Sequence, residues 1–286
     1  MLPPDLEMRD FQLTGFGRLL RQWRQVRRVS QLELALGADV SARHVSFIET
    51  GRSSPSREMV LTLAGALALP FRERNRLLQA AGYAPAYRET SLNDPEMGEM
   101  LRALKLILRQ YGPIGGAVAF DRHWDVIMAN ASYARFMRHF LGDLHGTPEP
   151  FTVTSPPRPN LLRLLSDPAG FRRYIVNWET VARSTLARVR QEAAWSQDPV
   201  TQELLETALG YPGVPARWKR NAGLDMNVAL VTPVELRLPQ GAVRLFSTVT
   251  TLGTPLDITL QELRIESFHA VAEDSKAIVR ALLGGP

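Results

Sequence analysis

Eight arginines (Arg18, Arg21, Arg24, Arg27, Arg28, Arg43, Arg52 and Arg57) fall between Phe16 and Arg57, against three acids, Glu33, Asp39 and Glu49. This local excess equals the net charge of +5 carried by all 286 residues. Guanidinium groups at this density attract a polyanion and release its condensed counterions on contact. A charge run alone is more often a solvated face, so the weight rests on the pattern holding the arginines. Catalysis has no comparable signal. Cysteine is absent, which removes disulfides, thiolate nucleophiles and thiolate metal sites. The five histidines (His44, His123, His139, His145 and His269) are scattered. Only His139 and His145 come near each other, flanking Asp143 in a stretch that reads as loop. There is no nucleophile elbow, phosphate loop, dinucleotide fingerprint or zincin motif. The glycine-rich run from Gly112 to Gly116 lacks the lysine and following helix of a phosphate cradle. The expectation is a protein that is not an enzyme and holds no metal or cofactor.

The arginines sit on a helical pattern. Phe16, Leu19, Leu20 and Trp23 recur at helix spacing and predict a first helix ending near Val29. Ser30 and Glu33 have the spacing of a capping box, opening a second helix over residues 31–37. Residues 38–40 make a turn, with Asp39 suited to a left-handed conformation. Ser41 caps a third helix over residues 42–50, and Gly51 closes it. Val45 and Ile48 face inward on it, while Ala42, Arg43, Ser46 and Phe47 project from the other side. Val60, Leu63, Ala64 and Leu67 mark a fourth helix after Pro55-Ser56, and Leu77 and Leu78 a fifth after Pro70.

The segment SQLELALGADVSARHVSFIETGRSSPSREMV resembles the helix-turn-helix of the lambda-repressor-like, xenobiotic-response-element (XRE) family of regulators, over roughly residues 15–82. It departs from that pattern at Asp39, where many members carry glycine, and at Gly37, which weakens the second helix by up to about 1 kcal/mol relative to alanine. The resemblance implies that the third helix enters the major groove and reads base edges from its N-terminal end. Carried onto this chain, Ala42, Arg43, Ser46 and Phe47 are the base-reading candidates, with Ser41 at their cap. Arg43 suits guanine O6 and N7, and Ala42 and Phe47 suit a thymine methyl. Gln31 is placed to reach a base or a phosphate. Arg24, Arg28 and Arg52 are candidates for the phosphates. Core packing is the competing reading for Phe47, and His44 reads as surface.

Past residue 81 the composition breaks. The expected division is a DNA-binding domain over residues 1–84, a linker and connecting helix over 85–110, and a second domain over 111–286. The connecting helix carries Met97, Met100, Leu101, Leu104 and Leu108 on one face. Residues 117–120 and 124–128 then read as strands across a tight turn, and residues 131–140 as a helix. Asn160 opens a short helix, and Asp167-Pro168 a long one with Phe171, Tyr174, Ile175, Trp178, Val181, Ala182 and Thr185 on one face. Another helix follows Asp198-Pro199. Residues 234–238, 242–252 and 262–269 read as three antiparallel strands, and residues 274–283 as a closing helix. The class is α+β, an all-α lambda-repressor-like helix-turn-helix domain followed by an α/β domain with a five-stranded antiparallel sheet.

Two strands, then helices, then three strands is the order of a PAS domain, and AFDRHWDVIMANASYARFM resembles its opening hairpin and first helix. FRRYIVNWETVAR and RLFSTVTTLGTPLDITLQELRIESF resemble the ligand-binding region of MmyB-like transcription regulators. This resemblance implies a bacterial or archaeal, cytoplasmic, nucleoid-associated transcription regulator with a double-stranded DNA operator and a small-molecule effector. A homodimer without membrane attachment is expected. A PAS-like sheet backed by helices encloses an apolar pocket. Phe120, Phe136, Tyr174, Trp178 and Phe246 are the expected lining, and Arg173, Tyr174 and Asn177 the polar contacts. An apolar or amphipathic effector fits, such as a fatty acid with an arginine at its carboxylate. The alternative is a second domain without ligand that serves dimerisation or recruits a protein partner.

Overall fold

The computed structural model describes residues 15–112, 115–142, 147–196, 198–220, 233–253 and 255–283. Asp143 and His145 lie outside them. No helix among the described residues is long and apolar enough to cross a membrane. The chain divides into two compact units, Met1–Thr90 with Thr254–Gln261, and Ser91–Gly253 with Glu262–Pro286.

The first unit is helical: α1 Gly15–Val26, α2 Gln31–Gly37, α3 Ala42–Glu49, α4 Arg57–Ala66 and α5 Phe71–Ala80. Phe16, Leu20 and Trp23 of α1 pack with Leu34, Val45, Ile48, Val60, Leu63 and Leu77 in its buried interior. Both halves of the capping box form, Glu33 N donating to Ser30 Oγ at 3.1 Å and Ser30 N to Glu33 Oε2 at 2.7 Å. Asp39 takes the left-handed conformation expected of it, with φ 54°. Gly17 is required for close approach, because a Cβ there would lie 2.4 Å from the Glu49 carbonyl oxygen.

The composition break expected to be linker is instead folded into this unit as far as Thr90. The buried Asn75 amide accepts from Ala86 N (2.9 Å) and Tyr87 N (3.1 Å) and donates to Tyr87 O (2.7 Å). Tyr87 stacks on Phe71 with centroids 4.1 Å apart. A distant segment joins them. Asp257 accepts from Thr90 N (3.0 Å) and Thr90 Oγ1 (2.7 Å), and Ile258 N donates to Arg88 O at 2.9 Å. Pro70 gives α5 no side-chain cap, so the exposed first amide of that helix needs another acceptor. Gln261 Oε1 supplies it, 2.7 Å from Phe71 N.

In the second unit, β1 Ala117–Phe120, β2 Val126–Ala129, β3 Val234–Leu238, β4 Gly241–Thr251 and β5 Arg264–Ala270 form an antiparallel sheet of order β2-β1-β5-β4-β3. Its helices are α6 Gly98–Gln110, α7 Ala131–Leu141, α8 Leu161–Ser166, α9 Trp178–Ser196, α10 Pro199–Gly210, α11 Ala216–Lys219 and α13 Glu273–Leu283; α12 Ile258–Glu262, in the β4–β5 connection, falls to the first unit as far as Gln261. Leu104 and Leu108 of α6 cover one sheet face, against Ala117, Ala119, Ile127 and Ile265. On the other face α7 packs on Val118 and Val126, and α9, α10 and α13 pack with Leu236, Val243 and Leu245.

Two expected boundaries move. The second strand begins at Val126, because Trp124 turns the chain with φ 66° and its amide bonds Asp121 O at 3.0 Å. The long helix begins at Trp178, not at Pro168. Phe171–Tyr174 is a single 3-10 turn, and Ile175 is extended and bridges Leu236. Val176 N donates to Glu235 O (2.7 Å), while Asn177 donates to Pro233 O (2.7 Å) and accepts from Glu235 N (3.0 Å). The edge strand β3 thus takes polar groups that a continuous helix would have kept to itself.

Candidate functional site

The third helix of the first unit exposes Arg43, with Ala42, Ser46 and Phe47 half-exposed beside it. Ser41 Oγ accepts from His44 N at 3.1 Å and so fixes the start of this helix. The Phe47 ring lies between two cations, Arg43 Cζ 5.1 Å and Arg52 Cζ 5.9 Å from its centroid. Aromatic contact of this kind restrains long side chains before any partner arrives. Arg28 is also exposed, in a left-handed conformation with φ 55°.

Arg24 is placed differently from the other arginines expected to meet phosphates. Its Nε and Nη2 donate to Glu49 at 2.6 and 3.0 Å, and its Nη1 to Val29 O at 3.0 Å. Gln31 Nε2 donates to the same carboxylate at 2.7 Å. Glu49 is 2% exposed and Arg24 13%. A charge so enclosed and matched is a brace between α1 and α3, whereas the other arginine candidates, Arg43, Arg52 and Arg28, are exposed.

In the second unit a part-open cavity of about 160 Å³ lies between the sheet and α7, α8, α9 and α13. Trp124, Phe136, Phe171, Leu245 and Phe268 are among its apolar walls, and Tyr133, Thr185, Arg188 and Glu266 are its polar lining. Asn130 ends β2 and caps α7, its Oδ1 accepting from Tyr133 N at 2.9 Å and Ala117 N at 3.1 Å, which fixes Tyr133 over the sheet. Val181, Thr185 and Arg188 follow at i, i+4 and i+7 along one face of α9. Glu266 and Phe268 share one face of β5, by the period of two.

Charge is poorly matched in this cavity. Burial pulls the Arg188 guanidinium down from its ordinary value, against the attraction of Glu266 and Glu192. Burial pushes the Glu266 carboxyl up, opposed by a Ser247 hydrogen bond and by Arg188. The Tyr133 phenol is pushed up by burial and by the Glu266 charge, and so stays protonated.

Of the expected ligand residues, Phe136 lines the cavity. Phe120 is wholly buried and stacks on Trp124 at 5.2 Å, behind the wall. Phe246 lies on the opposite sheet face and stacks on His269 at 4.9 Å. Arg173 and the Tyr174 hydroxyl both donate to Phe140 O at 3.1 Å. Asn177 is spent on β3, and Trp178 Nε1 on Leu165 O at 2.7 Å. Arg188 and Glu266 were missed, although extending the helical face already read through Val181 and Thr185 by three residues arrives at Arg188.

Comparison with known families matches this division. The helix-turn-helix domain family matches residues 16–77. The MmyB-like transcription regulator ligand binding domain matches residues 100–282, more than half of the chain. A search of curated proteins finds no match. With a DNA-binding helical unit followed by this domain, the chain belongs to the MmyB-like family of transcription regulators.

Proposed function

We propose that this protein is a sequence-specific regulator whose grip on its operator changes when a small apolar or amphipathic molecule, a fatty acid being one such class, enters the cavity of the second unit. The observation that carries this reading is the route of the chain. Strands β4 and β5 both contribute cavity lining, through Leu245 and through Glu266 and Phe268. The segment joining those strands is built into the DNA-binding unit, through Asp257, Ile258 and Gln261. A change in strand spacing on ligand entry therefore bears on a segment that also caps α5. Such a device works only if the ligand has different affinities in the two DNA-binding states.

In this reading Arg43 reads a base and Arg52 and Arg28 hold phosphates. A homodimer on a pseudo-palindromic site enlarges the small contact area of one helix-turn-helix, with half-sites about 34 Å apart. The test is operator selection from random duplexes, followed by fluorescence anisotropy with and without ligands that stabilise the protein against heat. A true effector at about 100 times its dissociation constant adds roughly 2.7 kcal/mol and shifts operator affinity. If no compound in a library containing fatty acids stabilises the protein, the ligand-free dimerisation or partner module becomes the better account. A hydrodynamic mass of one chain on and off DNA removes the dimer.

A further inference from the structure

The exposed face of α3 also bears on which bases it meets, an inference that rests on the operator-reading role given to this helix above. Val45 and Ile48 are buried, whereas the Phe47 ring is half-exposed on the face that carries Arg43. Arg43 lies one turn before Phe47, so the two side chains are neighbours, and the guanidinium Cζ is 5.1 Å from the ring centroid. Arg52 reaches the same ring from beyond the end of the helix, with its Cζ at 5.9 Å. The backbone sets up that approach. Gly51 turns the chain with φ 73°, and Arg52 N and Ser53 N then donate to Phe47 O at 2.8 and 3.2 Å. A ring held in this way loses little freedom on meeting a partner.

We propose that α3 reads a two-base unit: a guanine held by Arg43 and, on the adjoining base pair, a pyrimidine whose C5 methyl lies against Phe47. A phenyl ring offers a base edge only apolar contact, and the apolar group on the major-groove edges is the C5 methyl of thymine. Arg43 offers the paired donors that guanine O6 and N7 accept. Because the guanidinium and the ring are in contact, the groups they meet must be in contact too, and adjoining base pairs supply that. A consequence follows for modified DNA. The ring neither donates nor accepts at the pyrimidine C4 position, so it cannot tell the thymine carbonyl from the cytosine amine. 5-Methylcytosine therefore replaces thymine in this unit, and unmethylated cytosine does not. Binding to an operator that carries cytosine at this position becomes sensitive to C5 methylation.

The test uses the full chain and its selected operator, with small chemical changes in the DNA read by fluorescence anisotropy at one salt concentration. A thymine beside a guanine is expected in each half-site. Deoxyuridine in place of that thymine removes the methyl alone and should weaken binding about fourfold, the worth of one buried carbon group. Cytosine there should weaken binding at least as much, and methylating that cytosine at C5 should restore about fourfold. 7-Deazaguanine at the neighbouring guanine removes one of the two acceptors and should cost roughly tenfold. Phe47→Ala should bring the ratio of thymine to deoxyuridine affinity to one, while Phe47→Leu, still apolar, keeps part of it. The DNA series on the unaltered protein stands even where a variant fails to fold. If deoxyuridine binds as tightly as thymine, or methylating the cytosine restores nothing, the two-base unit is overturned and the operator reading survives. A methyl effect that persists in folded Phe47→Ala overturns the assignment to Phe47. Failure to select any operator overturns the operator reading, and the two-base unit with it.

Discussion

Each unit sets an arginine and a glutamate within reach of each other's charge, nearly enclosed in the first unit and part-buried along a cavity in the second, and the two arrangements differ in kind. Arg24 and Glu49 are in contact, with two hydrogen bonds between them and a third to the carboxylate from Gln31. Arg188 and Glu266 face a cavity without touching, and the guanidinium Nε has no partner. In the first case the surrounding protein completes the charge pair, and the result is a brace. In the second it leaves the pairing incomplete, and both charges stay open to the cavity. Burial of charge therefore does not by itself mark function. What separates the two is whether the protein's own groups already satisfy it.

Removing one member of the brace should have the largest effect. Glu49→Ala leaves Arg24 enclosed without its counter-charge, at an expected cost of about 3–5 kcal/mol. Urea denaturation of the full chain reads this as loss of the helical transition, and a change under about 1 kcal/mol would mean that Arg24 escapes to solvent.

The opposite outcome is expected in the second unit. Converting both charges, with Arg188→Met and Glu266→Gln together, should leave stability unchanged or raise it by about 1–4 kcal/mol, as replacing a buried pair by well-packed groups often does. The same denaturation experiment decides. A large loss would make this pair a second brace and remove the contrast.

Much of the first unit was legible in the sequence because its signals are local. The box from Ser30 to Glu33, the left-handed Asp39 and the cap at Ser41 each lie within a few residues of what they stabilise, and all form as expected. Arg24 was read as a phosphate candidate, and its pairing with Glu49 was not legible because that partner lies 25 residues away. The sheet of the second unit was legible for the same local reason, but its cavity was not. Both sheet faces are covered, one by α6 and the other by α7, α9 and α13, so strand alternation gives no polar side to mark inward positions. Phe246 was therefore assigned to the cavity by residue type, and its sheet face reverses that expectation, while Glu266 was not singled out at all. On α9 the face through Val181 and Thr185 was read in the right phase but stopped one turn short of Arg188, and the helix was begun ten residues early, across a 3-10 turn and an extended Ile175.

Arg43 and Arg52 differ again from both pairs, since both are exposed and no acid among the described residues pairs with either. Arg43→Ala should cost about 1–3 kcal/mol on the selected operator and relax preference at one base position. Equal weakening on random duplexes would move Arg43 to the phosphates. Arg52→Ala should weaken all duplexes alike and reduce the salt slope by about one.

The smallest expected effect on stability concerns Gln261, on the part of the β4–β5 connection that folds into the first unit. Its side-chain oxygen caps α5 from 190 residues away in sequence, on the segment that joins two cavity-lining strands. Loss of a helix cap costs typically about 1 kcal/mol, so Gln261→Ala should lower the stability of the helical unit by about that much. Operator affinity without ligand should stay near its native value, because no base- or phosphate-reading candidate touches Gln261. The informative quantity is the ratio of operator affinities with and without effector. If the segment carries the coupling, that ratio should move toward one in Gln261→Ala while effector affinity in the absence of DNA changes little. An unchanged ratio would reduce Gln261 to a cap, and the two units would then have to communicate by some other part of the chain.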